Sequence, residues 1–169
     1  DSHMRQAYVE SLRPVGLFDK APYEHVIVNG LTLAADGQKM SKSKKNYTDP
    51  VVLAQKYSAD ALRFALVSGP LVRGENVPFP DALVDEVYKK VCQRLHNVYT
   101  FYDMNKVEDL SLDNSSQHPL DHWIRARLNE THKHVTTNLD MFLLDSAARP
   151  IESFVDDLST WYVRRSRER

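Results

Sequence analysis

The second half of the chain repeats apolar residues at the spacing of a buried helical stripe. After Pro80 these residues are Leu83, Val84, Val87, Tyr88, Val91, Leu95, Val98 and Tyr102. Steps of three and four positions place them on one face of a helix. A polar cluster of Asn, Asp and Ser from Asp109 to Gln117 then interrupts the pattern, as a connection between helices would.

Two further helices are predicted after that cluster. His118-Pro119 begins the first, because proline is tolerated in a first helical turn. Its inner face would carry Leu120, Ile124, Leu128, Val135 and Leu139. The next helix begins at about Ser146, with Pro150 early, and would bury Ile151, Phe154, Val155, Leu158, Trp161 and Tyr162. Three antiparallel helices can close one core, so residues 80–169 are predicted to form a helical bundle.

The first half reads as a smaller, mixed module. Two β-rich runs around residues 25–33 are joined by Asn29-Gly30, a strong hairpin signal because a type I′ turn needs positive φ at both central residues. Short helical patterns follow, one through Tyr57 and another from Ser58 to Phe64. The predicted fold class is mainly α: a small α+β module of hairpin, lysine-rich loop and short helices over residues 5–79, followed by the antiparallel bundle.

Residues 36–46, called here the lysine loop, lie between the predicted hairpin and the short helices. They read Asp-Gly-Gln-Lys-Met-Ser-Lys-Ser-Lys-Lys-Asn, with four lysines and no apolar periodicity. We expect the loop to be mobile, because Gly37, Ser41 and Ser43 give it few ways to pack. Mobile ammonium groups suit a transferring phosphoryl group, whose charge grows on its oxygens in the transition state. A charge run is equally typical of a solvated surface loop.

The composition limits the class of protein. The formal net charge is −1 and 42% of the residues are hydrophobic, so neither disorder nor a polycation is indicated. No apolar run approaches the length of a membrane span. The single cysteine, Cys92, excludes an internal disulfide and disfavours zinc. His132 and His134 fall on different helix faces, so we expect surface histidines and no metal site.

Lys39-Met40-Ser41-Lys42-Ser43 matches the second signature of the class I aminoacyl-tRNA synthetases. Val28-Asn29-Gly30-Leu31 before it and Ala59-Asp60-Ala61-Leu62-Arg63 after it resemble the isoleucyl, valyl and leucyl group of these enzymes. The segment from Leu66 to Asn76, and above all Trp161-Tyr162-Val163-Arg164-Arg165, are most similar to the isoleucyl members. The resemblance extends from about Leu17 to Arg169.

The resemblance implies a role for each residue of the signature. Lys42 would stabilise the transition state of adenylation and Lys39 would assist it, so both are candidate catalytic residues. Six residues would meet ATP: Val28, Lys39, Met40, Ser41, Lys42 and Ser43. For Met40, an adenine contact and a plain anchor into the core are both open. Ser41 and Ser43 supply hydrogen bonds rather than a nucleophile, because no base lies within the motif.

The resemblance also implies partners and domains. Lys44, Lys45, Arg164 and Arg165 are the candidate tRNA contacts, since ammonium and guanidinium groups suit phosphates. Isoleucine, ATP and Mg²⁺ would be used by the intact enzyme, although we expect none of them bound to this segment alone. Residues 5–79 would be the end of the catalytic domain with the stem-contact fold, and residues 80–169 a truncated anticodon-binding bundle. We expect a cytoplasmic monomer.

The chain would be a fragment. An intact relative is several times longer and carries a His-Ile-Gly-His signature that none of the seven histidines here reproduces. Asp1–Met4 resembles the remnant of a cleaved tag, and residues 5–14 are more polar than the apolar helix expected there. Two alternatives remain open: a stand-alone RNA-binding module that uses the lysines for phosphates, and a fragment of a valyl or leucyl enzyme.

Overall fold

The computed structural model describes residues 25–106 and 116–168. The predictions about the tag remnant and about residues 5–14 lie outside the described residues, as does most of the polar cluster between the first two bundle helices. Within the described part the protein is mainly α, with one two-stranded sheet, which confirms the predicted fold class.

The small module holds two helices and the sheet. In chain order its elements are β1 (Thr32–Leu33), α1 (Pro50–Tyr57), α2 (Ala59–Ser68), a 3-10 turn (Pro70–Arg73) and β2 (Val77–Pro78). Both helix starts carry a side-chain cap. Asp49 Oδ1 accepts from the Val51 amide at 2.7 Å, and Ser58 Oγ accepts from the Ala61 amide at 3.1 Å. These bonds satisfy amides that would otherwise be unpaired at a helix N-terminus.

The helical half consists of three helical rods. The first, called here the long helix, is built from α3 (Asp81–Val87), a π-helical segment (Tyr88–Gln93) and α4 (Arg94–Asn105). The second is α5 (Pro119–Asp140), and the third is α6 (Leu144–Asp156), a π-helical segment (Asp157–Val163) and α7 (Arg164–Ser166). None of the helices in the described part of the chain is both long and apolar enough to cross a membrane.

The starts of the last two rods follow the sequence closely. The side chain of His118 caps α5, its Nδ1 accepting from the Leu120 amide at 3.2 Å, and Pro119 takes the first helical position as predicted. The third rod begins at Leu144 rather than about Ser146, so Pro150 lies inside α6. Only three residues connect α5 to α6, which makes the two helices an antiparallel pair.

The predicted hairpin at Asn29-Gly30 is wrong. β1 pairs in parallel with β2, far along the chain, with Thr32 opposite Val77 and Leu33 opposite Pro78. The Val77 amide donates to Leu31 O at 3.0 Å and the Phe79 amide to Leu33 O at 2.8 Å. Pairing with a distant strand therefore replaced the local turn that the dipeptide suggested.

Gly30 is needed for a close approach between two backbone segments, since its φ is not positive. Its amide donates to Leu71 O at 2.8 Å. A Cβ atom at this position would lie 1.8 Å from the carbonyl oxygen of Glu75. Only glycine lets the backbone around residue 30 lie this close to the segment after the 3-10 turn.

The core of the module joins it to the long helix. Leu53, Ala61, Phe79 and Val84 are buried together, and Met40 packs against them from the lysine loop. Val84 belongs to the first helix of the helical half, so the two halves share this cluster. The bundle adds buried residues of its own, among them Val91, Ile124, Ala147, Ala148 and Val155.

The predicted apolar stripes are wrong at several positions, including Leu128 and Leu139 on the predicted inner face of α5, which are exposed. Leu95 and Tyr102 on the long helix are 48% and 58% exposed, and Trp161 on the third rod is 46% exposed rather than buried. A π turn bonds residue i to i+5, so it contains more residues than an α turn and rotates the side chains that follow it, here Leu95 and Tyr102, off the expected face. Val84, Val91 and Val155 lie on the predicted stripes and are buried as expected.

Candidate functional site

The lysine loop begins with a tight turn at Asp36-Gly37. The Ala34 amide donates to Gln38 O at 2.8 Å, and Asp36 Oδ1 accepts from the Gln38 amide at 3.0 Å. Gly37 has φ +76°, a left-handed conformation that glycine adopts without strain. This turn brings Lys39 opposite Leu33 in a single antiparallel bridge. The loop is therefore attached to the end of β1.

Asn46 closes the far end of the loop. Its Oδ1 accepts from the Ser41 amide at 2.9 Å, and its Nδ2 donates to Lys39 O at 3.3 Å. The Lys45 amide also donates to Ser41 O at 3.0 Å, with Lys45 itself at φ +50°. Asn46 thus holds the backbone on both sides of Met40. Asn46 was not predicted as a functional residue, although an asparagine at a loop end commonly bonds local backbone.

The hydroxyls of Ser41 and Ser43 bond each other, with their oxygens 2.8 Å apart. This is the hydrogen-bonding role expected of them. Lys44 Nζ donates to Gln38 Oε1 at 2.8 Å, across the loop.

The catalytic candidates Lys39 and Lys42 are both exposed. Among residues 25–106 and 116–168, neither lies within 4 Å of a carboxylate. Their ammonium groups are therefore not neutralised by a neighbouring acid. Such groups are available to an anionic ligand without first breaking an ion pair.

Met40 and Lys42 line a cavity of about 440 Å³ beneath the loop. Its walls are mostly apolar and include Leu53 of α1, Leu66 of α2 and Phe79, which follows β2. Met40 is half-buried against the shared core cluster. This contact supports the reading of Met40 as an anchor of the loop.

Val28 lies elsewhere. It is half-buried on the irregular segment before β1 and lines a second cavity of about 400 Å³ with residues such as His25, Val72 and Phe142. The structure thus places Val28 and Lys42 on different cavities, and does not bring the predicted ATP contacts to one pocket.

The arginine candidates lie at the C-terminal end of the third rod. Arg164 is exposed on α7. The guanidinium of Arg165 lies over the ring of Trp161, 3.9 Å from its centroid, in a cation–π contact. Arg167 lies 5.9 Å from the ring of Phe101 on the long helix. This end therefore combines cations with aromatic faces, which the sequence analysis missed when it placed Trp161 in the core.

A buried carboxylate joins the two halves. Asp145, in the first turn of α6, is 1% exposed and forms ion pairs with Arg73 of the 3-10 turn and with Arg149, the latter at 3.2 Å. Burial favours the neutral acid, but the hydrogen bond and charge of Arg73, together with the Ser146 amide and the charge of Arg149, outweigh it, so the pKa of Asp145 is lowered from its ordinary value. No pattern in the sequence predicts this pair, because its partners are 72 positions apart.

Metal ligands do not cluster in the described residues. Across residues 25–106 and 116–168, no three His, Cys, Asp or Glu side chains come together as a metal site. The described residues therefore contain no ready-made ligand set for the Mg²⁺ ion that the resemblance implies, an ion that proteins commonly bind through one or two carboxylates and substrate phosphates.

Two family models match the chain. Residues 7–78 match the tRNA synthetases class I (I, L, M and V), and residues 121–169 match the anticodon-binding domain of tRNA ligase. The chain is also similar to the cytoplasmic isoleucine–tRNA ligase of Caenorhabditis elegans, 39% identical over 162 residues that cover 90% of the chain and 14% of that protein.

Other relatives give the same picture. The isoleucine–tRNA ligase of Treponema pallidum is 36% identical over 96% of the chain and 16% of its own length. The cytoplasmic isoleucine–tRNA ligase of Mus musculus is 39% identical over 90% of the chain and 13% of its own length. The chain therefore spans about one sixth or less of the curated relatives that it matches.

A solved structure agrees at the level of fold. The LeuRS of Agrobacterium radiobacter K84, crystallised as a ternary complex with tRNA and LeuAMS, aligns with 88% of the chain and 19% of its own, at a TM-score of 0.64 and 22% identity. This likeness concerns the fold alone. The two family models and the relatives place the chain in the family of class I tRNA synthetases (I, L, M and V).

Proposed function

We propose that this chain is the part of an isoleucine–tRNA ligase that carries the lysine loop and the first helices of the anticodon-binding domain. The observation that carries the proposal is the pair of unneutralised lysines, Lys39 and Lys42, on a loop held at its end by Asn46. The names of the relatives favour isoleucine over valine or leucine.

The reaction of the intact enzyme would have two steps. The carboxylate oxygen of isoleucine attacks the α-phosphorus of ATP, a new O–P bond forms, and the bond to pyrophosphate breaks. The isoleucyl group then passes from the adenylate to the terminal ribose of the tRNA, releasing AMP. Negative charge grows on the pyrophosphate as it leaves, and a positioned ammonium group lowers the energy of that state.

The candidate residues of the lysine loop have places in this scheme. Lys42 stabilises the leaving group and Lys39 steadies the phosphates, while Ser41 and Ser43 shape the loop that presents them. Met40 anchors the loop in the core, whereas Val28 lines a separate cavity and is assigned no contact in this scheme. Because the described residues offer no ligand set for Mg²⁺, no step is assigned to that ion.

The tRNA would contact the chain at two places. Lys44 and Lys45 lie on the lysine loop, and Arg164 and Arg165 lie at the end of the third rod beside Trp161. Residues 5–79 belong to the catalytic domain and stem-contact fold in this proposal, and residues 80–169 to the anticodon-binding domain. The enzyme would act as a monomer in the cytoplasm, the compartment named for two of the relatives.

The test is amino-acid-dependent ATP–pyrophosphate exchange by a full-length ligase that carries this segment. We expect exchange with isoleucine well above that with leucine or methionine, and charging of the isoleucine tRNA. The chain of 169 residues by itself should show none, because it spans only a small part of its relatives. A preference for another amino acid would assign the segment to the ligase for that amino acid. The absence of any exchange would leave the RNA-binding module as the better account.

A further inference from the structure

The lysine loop is tied to the long helix by a hydrogen bond that the proposed chemistry does not use. Thr48 Oγ1 donates to Asp81 Oδ2 at 2.8 Å in a partly buried position. Thr48 follows Asn46, the residue that closes the loop, by two positions. Asp81 is the first residue of the long helix. The bond therefore joins the exit of the loop to the first turn of the helical half.

Apolar packing also anchors the loop. Met40, at the middle of the signature, packs against the buried cluster of Leu53, Ala61, Phe79 and Val84, to which the long helix contributes Val84. Met40 and Thr48 flank the stretch that carries Lys42, so this stretch is anchored on one side by the cluster and on the other by Asp81. Two attachments fix a position better than one, because a single contact leaves rotation about it free.

The charge of the Asp81 carboxylate favours its hydrogen bond with Thr48. The carboxylate of Asp81 lies in the first turn of a helix, where the partial positive charge of the N-terminus stabilises an anion. A hydroxyl donor to an ionised carboxylate makes a stronger bond than one between neutral groups. Asp81 and Thr48 also line the cavity beneath the loop together with Lys42, so the hydrogen bond and the lysine border the same cavity.

We propose that Thr48 and Asp81 are positioning residues that hold Lys42 in register with the long helix. They act through the loop rather than on the reacting atoms. A shift of the first turn of the long helix then moves the loop, which couples the anticodon-binding half to the site of phosphate chemistry. The expected effect on catalysis rests on the proposed function, whereas the hydrogen bond between Thr48 and Asp81 does not.

The first experiment measures the tie in the chain itself. Amide hydrogen exchange of residues 39–46 is compared between the wild type, Thr48→Val and Asp81→Ala. The Ser41 amide, which donates to Asn46, is the reporter. We expect exchange in the loop about tenfold faster in both variants, the scale of losing one bond to a charged acceptor. Thr48→Ser keeps the hydroxyl and should restore protection. Asp85→Asn, which removes a surface pair with Lys89, is the matched control and should leave the loop unchanged.

The second experiment reads the consequence in a full-length ligase. Thr48→Val and Asp81→Ala should each lower kcat for isoleucine-dependent exchange about tenfold with KM for isoleucine unchanged. The double variant should lose no more than either single one, because both remove the same bond. If the bond were merely structural, its loss would speed amide hydrogen exchange uniformly across all helices and leave kcat per active site unchanged. That result would overturn the proposal. Unchanged loop protection in Thr48→Val overturns it as well. If the wild-type ligase shows no ATP–pyrophosphate exchange, the proposed function fails. The amide hydrogen exchange measurement still tests whether the bond between Thr48 and Asp81 holds the loop.

Discussion

The lysine loop and the helical half differ in whether their cationic side chains are paired with carboxylates. Lys39 and Lys42 have no carboxylate within 4 Å among the described residues. In the helical half, Arg94 pairs with Asp156 and Arg127 with Asp157, so each guanidinium links two rods. The comparison separates cations that are free to meet a polyanion from cations that hold the fold together. Charge alone, read from the sequence, does not make that distinction.

The same contrast appears in the energetics of Arg127. Its hydrogen bonds to Asp157 and Glu130 raise its pKa, with burial acting in the opposite direction. A cation held in this way is already compensated, and a phosphate would have to displace its carboxylates. We therefore expect the loop lysines, rather than the bundle arginines, to respond to nucleotide.

The largest effect is expected from Lys42→Ala in a full-length ligase. It should lower kcat for adenylation by about 10² to 10³, the scale of removing one donor that stabilises transition-state charge. Lys89→Ala, which removes a lysine paired with Asp85 at 2.6 Å, is the control and should leave the rate unchanged. Pyrophosphate exchange measures both. Equal rates for the two variants would make the loop a lid without catalytic charge.

Gly30→Ala tests how the small module is held, by backbone contact rather than by ion pairs. The new Cβ would meet the Glu75 carbonyl at 1.8 Å, so we expect a loss of about 3 kcal/mol in the free energy of unfolding. Gly69→Ala is the matched control, because its Cβ would meet only Ala65 O at 3.5 Å. Urea unfolding compares them. A Gly30→Ala protein as stable as Gly69→Ala would refute the close approach.

Asp145→Asn tests the ion pairs between the halves. We expect a loss of about 1–2 kcal/mol at neutral pH, moderated because both arginine partners are more than half exposed. The folded pKa of Asp145 is lowered, so its stabilisation is full above the unfolded value of about 3.9 and is lost as pH falls through the folded pKa. The stability difference between wild type and variant should therefore be constant above about pH 5 and shrink below about pH 4. A difference that grows on acidification would contradict the direction of the shift.

The smallest effects are expected at the arginine-rich end. Arg164→Ala and Arg165→Ala should each weaken binding of an isoleucine tRNA transcript a few-fold and reduce the slope of log K against log salt by about 1. Arg127→Ala should leave the slope unchanged, because its guanidinium is occupied by carboxylates. Filter binding over a salt series measures all three. An unaltered slope in both Arg164→Ala and Arg165→Ala would remove this end from the RNA interface.

Local signals in the sequence predicted much of the fold. Ser58 and His118-Pro119 mark helix starts that the structure confirms, because a cap is a contact between residues two or three positions apart. Asn29-Gly30 misled for the opposite reason, since parallel pairing with residues 77–78 outweighed the local turn preference. Trp161 is exposed and lies inside a π-helical segment, which the helical spacing of the apolar residues did not predict.

Some features of the candidate site could likewise be predicted from the sequence, and others could not. The signature from Lys39 to Ser43 could be identified from its letters, and its exposure follows from its charge. The contacts that position it could not, because Thr48 and Asp81 are 33 residues apart and neither belongs to a motif. The roles of Lys39, Lys42 and the tRNA contacts remain predictions.

Amine labelling tests most directly whether the free lysines of the loop meet the nucleotide. A full-length ligase is treated briefly with an acetylating reagent, with and without ATP and isoleucine at saturating concentrations, and modified lysines are quantified by mass spectrometry. We predict strong protection of Lys39 and Lys42 by the ligands and unchanged labelling of Lys89 and Lys90, which are paired with acids on the helix surface. Equal labelling of Lys39 and Lys42 with and without ligands would contradict the account.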